Sequence, residues 1–519
     1  MPSGRRLARH TLANLAGEGL PIGVAVVAIP VLVAGLGIDR FGVLTLAWLV
    51  VGYLGFFDLG LGRAVTKLMA ERIGTDSEHE IPGVAWTSLA AILALGTVGG
   101  AVLALASPWI IGDALHLPRG LRAETQTAFY LLAAALPAVV MLPALRGILE
   151  AQQRFGLINA VRLPMGVFTY LGPVLVLPVS DSIAAVVAAL IGVRLAGWLA
   201  YLLLCLRTLP ALRRRWSFER NLLVKLMRYG GWITVSNVAG GLILVLDRFL
   251  VGALLSVTAV AYYTTPYEAA LKLLVVSSAL LAVLFPAFAA ARDLDATTFL
   301  YAKGLRYLLI AVFPIALVLV ALAPDLLQLW LGAEFAGKTA GLLRLFVVAI
   351  LVNSLATVPF VLLQARGRAD VSAKLHLAQI PLYAALLWAM IRLFGLEGAA
   401  AAALVRGTIG AAVLFLIAQR LVPGSVRGVR PLLPFALPVT VSLAVAWLAP
   451  PPLGALFVLP ALALFGVAAW ARLLTAHERT SLADRIGSLA RRGRGVQGGR
   501  SRYPSSPDVT HPHTVEESP

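Results

Sequence analysis

The chain has 519 residues, of which 60% are hydrophobic and only 13% charged, and it carries a formal net charge of +18. A soluble protein of this length needs far more polar surface. The basic excess lies in short segments between apolar runs, which is the topology signal of membrane helices and argues against a nucleic-acid partner. The single cysteine, Cys205, and seven scattered histidines leave no disulfide framework and no Cys-based metal site. No metal and no cofactor is expected.

The N-terminus begins with Arg5, Arg6 and Arg9 ahead of an apolar run that continues to about Gly37. That run is too long for the core of a signal peptide and is read as a first transmembrane helix. About fourteen such runs follow one another, at 14–37, 42–62, 83–112, 126–146, 157–179, 183–206, 230–255, 258–289, 304–323, 341–364, 375–393, 397–419, 432–449 and 452–472. Each is close to the roughly 20 helical residues that cross a hydrocarbon core about 30 Å thick. The fold class expected is therefore an all-α polytopic membrane protein. Prolines inside the runs, such as Pro30, Pro137, Pro266 and Pro314, suit membrane helices, whose neighbours satisfy the freed carbonyls.

With the N-terminus inside, the cytoplasmic segments carry 33 of the 43 Lys and Arg residues and the external loops only five, Arg40, Arg119, Arg122, Lys338 and Arg392. That asymmetry predicts an even number of spans with both termini cytoplasmic. The halves also resemble each other. Pro143, Glu150, Arg154 and Pro164 are echoed by Pro359, Gln364, Arg366, Arg368 and Pro381 at an offset of about 216, and Arg194 by Arg406 at an offset of 212. Six helices per unit is an even number, so the two units form a parallel repeat with a pseudo-two-fold axis along the membrane normal. The expected organisation is a basic cytoplasmic N-terminus (1–13), a six-helix bundle (14–206), a basic linker (207–229), a second six-helix bundle (230–420), two additional transmembrane helices (431–474) and a cytoplasmic tail (475–519), disordered toward its end. The linker, with Arg207, Arg213, Arg214, Arg215, Arg220, Lys225 and Arg228, reads as a contact with anionic lipid headgroups.

An ionisable side chain within a span costs roughly 3 kcal/mol or more and so faces a cavity or a partner. Arg194, Arg248, Lys272 and Arg406 are the candidate cavity cations. Glu18, Asp58, Asp247 and Glu268 are candidates to carry a coupling H⁺ or Na⁺. The plain structural alternative for all eight, and for Arg344, is helix-to-helix ion pairing. Glu268 and Lys272 are spaced i,i+4 and share a helical face. Asp247 and Arg248 are adjacent, point about 100° apart, and are expected not to face the same neighbour. Tyr262, Tyr263 and Tyr267 are expected at the outer interface, as an aromatic belt or at a cavity mouth.

Several strings resemble the polysaccharide flippase family of the multidrug/oligosaccharidyl-lipid/polysaccharide (MOP) exporter superfamily. They are IPVLVAGLGIDRFGVLTLAW at 29–48, DLGLGRA at 58–64, VSNVAGGLILVLDRFLVGALLS at 235–256, AVAYYTTPYE at 259–268, VLFPAFA at 283–289 and LQLWLGAEF at 327–335. Together they cover roughly the first 420 residues. The resemblance implies translocation of polyprenyl-pyrophosphate-linked oligosaccharide across a bacterial inner membrane, for O-antigen, capsule or exopolysaccharide synthesis. It implies two six-helix bundles around a cationic cavity with two peripheral helices, and a polymerase and glycosyltransferases as partners beside membrane lipids. The alternative from the same superfamily is a multidrug/cation antiporter, which wants a cavity rich in carboxylates. Here four Arg and one Lys within spans outnumber four acids. An enzyme is disfavoured, because the longest external loop, near 112–125, is too small for a catalytic domain. The absence of a Walker motif leaves an ion gradient or mass action as the driving force.

Overall fold

The computed structural model describes residues 4–53, 61–73, 75–214, 216–219, 222, 239–243, 245–291, 293–424, 427, 429–476 and 478–480. They are overwhelmingly helical. In chain order the main helices are α1 (Gly4–Tyr53), α2 (Leu61–Ala70), α3 (Ile81–Trp109), α4 (Arg122–Ala151), α5 (Phe155–Val176) and α6 (Ile183–Thr208). After a helical stretch at 239–243 and 245–254 come α7 (Val257–Leu271), α8 (Leu274–Ala290), α9 (Leu294–Ala321), α10 (Ala323–Leu331), α11 (Ala333–Ala365), α12 (Ala369–Leu421), α13 (Leu433–Leu448) and α14 (Pro451–Arg472). Nine helical stretches among the described residues are long and apolar enough to cross a membrane. Helix is what the bilayer demands, because only a helix satisfies every backbone donor and acceptor within its own segment.

Two of these stretches are double. Helix α12, at 53 residues, would reach about 80 Å if straight, more than twice the thickness of a hydrocarbon core. It bends at Gly395, whose φ of 59° and ψ of −134° belong to a region that residues with a Cβ rarely enter. The chain doubles back so tightly that a Cβ on Gly398 would collide with the Met390 carbonyl. Helix α1 bends in the same way at Gly37 (φ 74°, ψ 163°). The runs expected at 14–37 and 42–62 thus meet at a glycine, as do those at 375–393 and 397–419.

Two differences from expectation stand out. The run at 258–289 is not one helix. It tightens to i→i−3 hydrogen bonds at Lys272, Leu273, Val275 and Val276, the short 3₁₀ geometry typical of a hinge, and so splits into α7 and α8. The expected external loop around LQLWLGAEF is itself helical, as α10 and the start of α11.

The chain divides into two units, Met1–Ala461 and Leu462–Pro519. Within the first, α1–α6 pack on one another, centred on α4 and α6. Helices α7–α10 and α12 pack around α11, and α13 packs on α9. Helix α1 touches α7 and α10 and so joins the two sets. The linker, where described, folds back on α3. Trp86 Nε1 donates to the Leu212 carbonyl at 3.0 Å, and Glu219 N donates to Thr87 Oγ1 at 3.0 Å. Arg215, Arg220, Lys225 and Arg228 lie outside the described residues, as do 481–519. In the second unit Thr475 and Glu478 form a capping box. Glu478 Oε2 accepts from Thr475 N at 2.9 Å, and Glu478 N donates to Thr475 Oγ1 at 3.3 Å.

The bend at Gly395 gives a direct test. Gly395→Ala forces a Cβ into a glycine-only conformation and should cost about 1–3 kcal/mol, lowering the thermal unfolding midpoint of the purified protein in detergent. Gly23→Ala, in a helix interior where an added Cβ meets nothing within 4 Å, should leave the midpoint unchanged or raise it.

Candidate functional site

A cavity of about 730 Å³ lies between the two sets of helices. On one wall stand Phe41 and Trp48 from α1, Thr169 and Tyr170 from α5, and Arg194 from α6. The aromatic rings form a chain. Phe41 and Trp48 meet edge to face at 6.0 Å, and Trp48 and Tyr170 at 5.3 Å. Trp48 Nε1 donates to the Thr169 carbonyl at 3.3 Å, which ties the second half of α1 to α5. Arg194 projects into this wall. Its Nε is buried and lacks a hydrogen-bond partner, and no carboxylate among the described residues lies within ion-pairing reach.

The facing wall is α7. Thr264, Thr265, Glu268, Ala269 and Lys272 line the cavity, a spacing that puts all five on one helical face. Glu268 is the described carboxylate of the lining, and it is engaged twice. Its Oε1 lies 2.8 Å from Arg248 Nη2, and its Oε2 lies 3.8 Å from Lys272 Nζ. The Arg248 side chain is fully buried, whereas those of Glu268 and Lys272 are 40% and 41% exposed. The Arg248 guanidinium also sits over the Tyr267 ring, 4.6 Å from its centroid. Arg248 is therefore behind the wall and not among the lining residues.

Asp247 is buried on the same side. Its Oδ2 accepts from Tyr263 Oη at 2.8 Å, and its Oδ1 accepts from the Arg248 backbone N–H at 2.8 Å. Asp247 and Arg248 thus both reach α7, contrary to the expectation from their angular separation. They do so at different heights, one at Tyr263 and the other at Glu268, because long side chains can bend along a neighbour's axis as well as around it. Tyr263 and Tyr267 are not interfacial either. Both are buried and pack edge to face on Phe346, at 5.0 Å each. Tyr262 lies beside Phe335, and Lys338 Nζ donates to its hydroxyl at 3.1 Å.

The structure does not bring Arg406 together with Arg194. Arg406 stacks on the Tyr383 ring at 4.9 Å, within α12, and is not part of the cavity lining. Arg344 donates to the Val320 carbonyl at 3.0 Å and lies over Trp447 of α13. Asp58 and the Glu18 side chain lie outside the described residues. Among the described residues no group of three or more His, Cys, Asp or Glu side chains is placed to hold a metal ion. The sequence reading missed Trp48, Tyr170 and Trp330, which line the cavity. Trp48 and Tyr170 sit inside apolar runs, where an aromatic residue looks like ordinary core, and Trp330 sits in what the sequence presents as an external loop.

The two helix sets touch at the end of the cavity where α1 bends and, between Val26 and Trp330, along its lining. Thr258 Oγ1 donates to Asp39 Oδ1. Trp330 Nε1 donates to the Val26 carbonyl at 2.6 Å. His116 N donates to the Gly252 carbonyl at 3.4 Å. Gly42 lies so close to the Val257 carbonyl that a Cβ would not fit. Beside these contacts Arg40 pairs with Glu124 at 3.1 Å and Asp181 at 3.3 Å, and Glu124 accepts from the Ile183 N–H at 3.2 Å, capping α6.

A family model described as "Polysaccharide biosynthesis protein" matches residues 35–339. A protein of Shigella flexneri named "Putative O-antigen transporter" is 28% identical over 406 residues, covering 78% of this chain and 96% of that protein. Among solved structures, an inward-facing multidrug resistance MATE family transporter of the MOP superfamily matches with a TM-score of 0.67 at 15% identity, over 80% of this chain and 99% of that chain. An outward-facing transporter of the same family gives 0.55 at 17% identity, over 80% and 95%. At these identities the structural likeness establishes the fold.

The two cavity-wall arginines should respond differently to removal. Arg248→Ala leaves Glu268 without its short partner and strips a buried cation from Tyr267, a loss of about 3 kcal/mol for a buried pair. The thermal midpoint and the amount of folded protein should both fall. Arg194→Ala removes a cation with no ion pair among the described residues and should leave both unchanged.

Proposed function

Because this chain belongs to the polysaccharide biosynthesis protein family, we propose that it is a flippase for polyprenyl-pyrophosphate-linked oligosaccharide, working by alternating access in a bacterial inner membrane. The observation that carries this reading is Arg194, a cation inside the cavity with no carboxylate partner among the described residues. A charge left in that state favours an anionic cargo, since moving a pyrophosphate out of water is costly unless cations meet it. The guanidinium fork matches phosphate oxygens in a bidentate way. Lys272 on the opposite wall supplies a second positive charge, and the rings of Trp48, Tyr170 and Trp330 offer flat apolar faces for sugar rings.

A multidrug/cation antiporter is the competing reading. It needs a carboxylate available to a cationic drug. Glu268, the described acid of the lining, is already committed to Arg248 and Lys272. Asp247 is buried against Tyr263 and away from the lining, which leaves it as a candidate ion-coupling group in place of a drug contact.

The Arg-rich segments are taken as cytoplasmic, which places both termini inside. The contacts of Thr258 with Asp39 and of His116 with Gly252 then close the outer end of the cavity, and the cargo enters from the inner leaflet, where glycosyltransferases would build it. Outward release requires those contacts to part. A neutral hydrogen bond is worth about 1 kcal/mol net and one to a carboxylate such as Asp39 about 1.5–3 kcal/mol, little enough to be exchanged in a transport cycle. A polymerase would take over the delivered unit.

Arg194→Ala should lower surface polysaccharide about ten- to a hundredfold, the range of a lost charge-assisted contact of roughly 1.5–3 kcal/mol, at unchanged protein level. A deletion strain should accumulate lipid-linked oligosaccharide in the inner leaflet and keep its resistance to cationic dyes. Dye hypersensitivity with normal surface polysaccharide would replace this reading with drug export. The closed end is tested by the pair Asp39→Cys and Thr258→Cys. The one native cysteine, Cys205, is buried, so oxidation should link the introduced pair alone. Export should stop on oxidation and resume on reduction. Export that continues with the pair fully linked would refute the gate.

A further inference from the structure

We propose that Glu268 is a built-in counter-anion that sets how tightly the cavity holds an anionic cargo, and so governs its release. This deepens the flippase reading and rests on it. The argument begins with the unequal grip on the two carboxylate oxygens. Arg248 holds Oε1 at 2.8 Å from a fully buried position, while Lys272 reaches Oε2 only at 3.8 Å and is 41% exposed. Arg248 cannot meet a cargo in the cavity, because it lies behind the lining. Its role is to position Glu268. Lys272 can swing from Glu268 to an incoming phosphate at small cost, since an exposed i,i+4 pair is worth only about 0.3–0.5 kcal/mol.

The charge arrangement around the carboxylate supports the same conclusion. Lys272 and Tyr267 come from its own helix, Arg248 from the 245–254 segment, and Arg194 and Tyr170 from the opposite wall. Without Glu268, a pyrophosphate in this space would meet Arg194 and Lys272 with one anion fewer beside the three cations. Such a site would bind firmly and release slowly. With Glu268 present, Arg248 is neutralised, and when the cargo leaves, Lys272 has an anion to return to. Catalysed movement depends on a cargo that is bound no more tightly in one state than it can be surrendered in the next.

Glu268→Gln separates charge from shape. The amide keeps an oxygen for Arg248 and so preserves the fold. Purified wild-type and variant proteins in detergent are titrated with farnesyl pyrophosphate, and export is followed in cells. Glu268→Gln should bind the probe several-fold more tightly than wild type yet support slower export, and Glu268→Asp, which restores the charge, should return both toward wild type. Lys272→Gln should weaken probe binding at unchanged thermal midpoint, which keeps a readout if Glu268→Gln proves unstable. Unchanged or weaker binding by Glu268→Gln, with wild type binding and Arg194→Ala weakened, would overturn the counter-anion role alone. No probe binding by wild type would overturn this role together with the anionic-cargo reading.

Discussion

A full charge in a hydrocarbon layer has to be neutralised or to face water, and the burial of Arg248 between Glu268 and Tyr267 organises much of the C-terminal helix set around that requirement. The guanidinium has a carboxylate at 2.8 Å and an aromatic face at 4.6 Å. Its neighbour Asp247 is tied to Tyr263 five residues earlier on the same helix. The 245–254 segment is therefore fixed to α7 at two heights, which sets the rotation of α7. That rotation turns Thr264, Thr265, Glu268 and Lys272 toward the cavity and buries Tyr263 and Tyr267 against Phe346.

The opposite wall is built differently. There the ordering contacts are aromatic, from Phe41 through Trp48 to Tyr170, and the cation Arg194 has no described acid to neutralise it. A similar place in the sequence does not supply similar surroundings. Arg406, which the sequence offset of 212 pairs with Arg194, stacks on Tyr383 instead of lining the cavity. One wall is thus internally compensated and the other is not.

The joints of the fold are backbone features. Gly37 and Gly395 let two very long helices reverse within the limits of a bilayer, and the 3₁₀ turn after Lys272 separates α7 from α8 at the cavity's edge. The two helix sets meet where α1 packs on α7, at the close approaches of Gly42 to Val257 and of Gly252 to Leu115, and through single hydrogen bonds such as Thr258 to Asp39 and Trp330 to Val26.

The sequence by itself determined that the chain is a multi-spanning helical membrane protein, because twenty apolar residues in a row have few other uses. Its charges also singled out one face of α7, since the i,i+4 spacing of Glu268 and Lys272 fixes their shared face whatever the tertiary structure does. The residues 35–339 that match the family model include most of the strings by which the resemblance was read. What the sequence could not supply was depth and direction. It ranked Arg194, Arg248, Lys272 and Arg406 alike, since each is a cation in an apolar run. Only packing separated them, placing Arg194 and Lys272 in the cavity, Arg248 behind it and Arg406 on a tyrosine. It also took Tyr263 and Tyr267 for an interfacial belt and passed over Trp48 and Tyr170, because hydropathy treats an aromatic ring the same in lipid, in a core or on a cavity wall. Those distinctions depend on which helix stands opposite, and that is decided by contacts between residues as distant in the chain as Trp48 and Tyr170 or Val26 and Trp330.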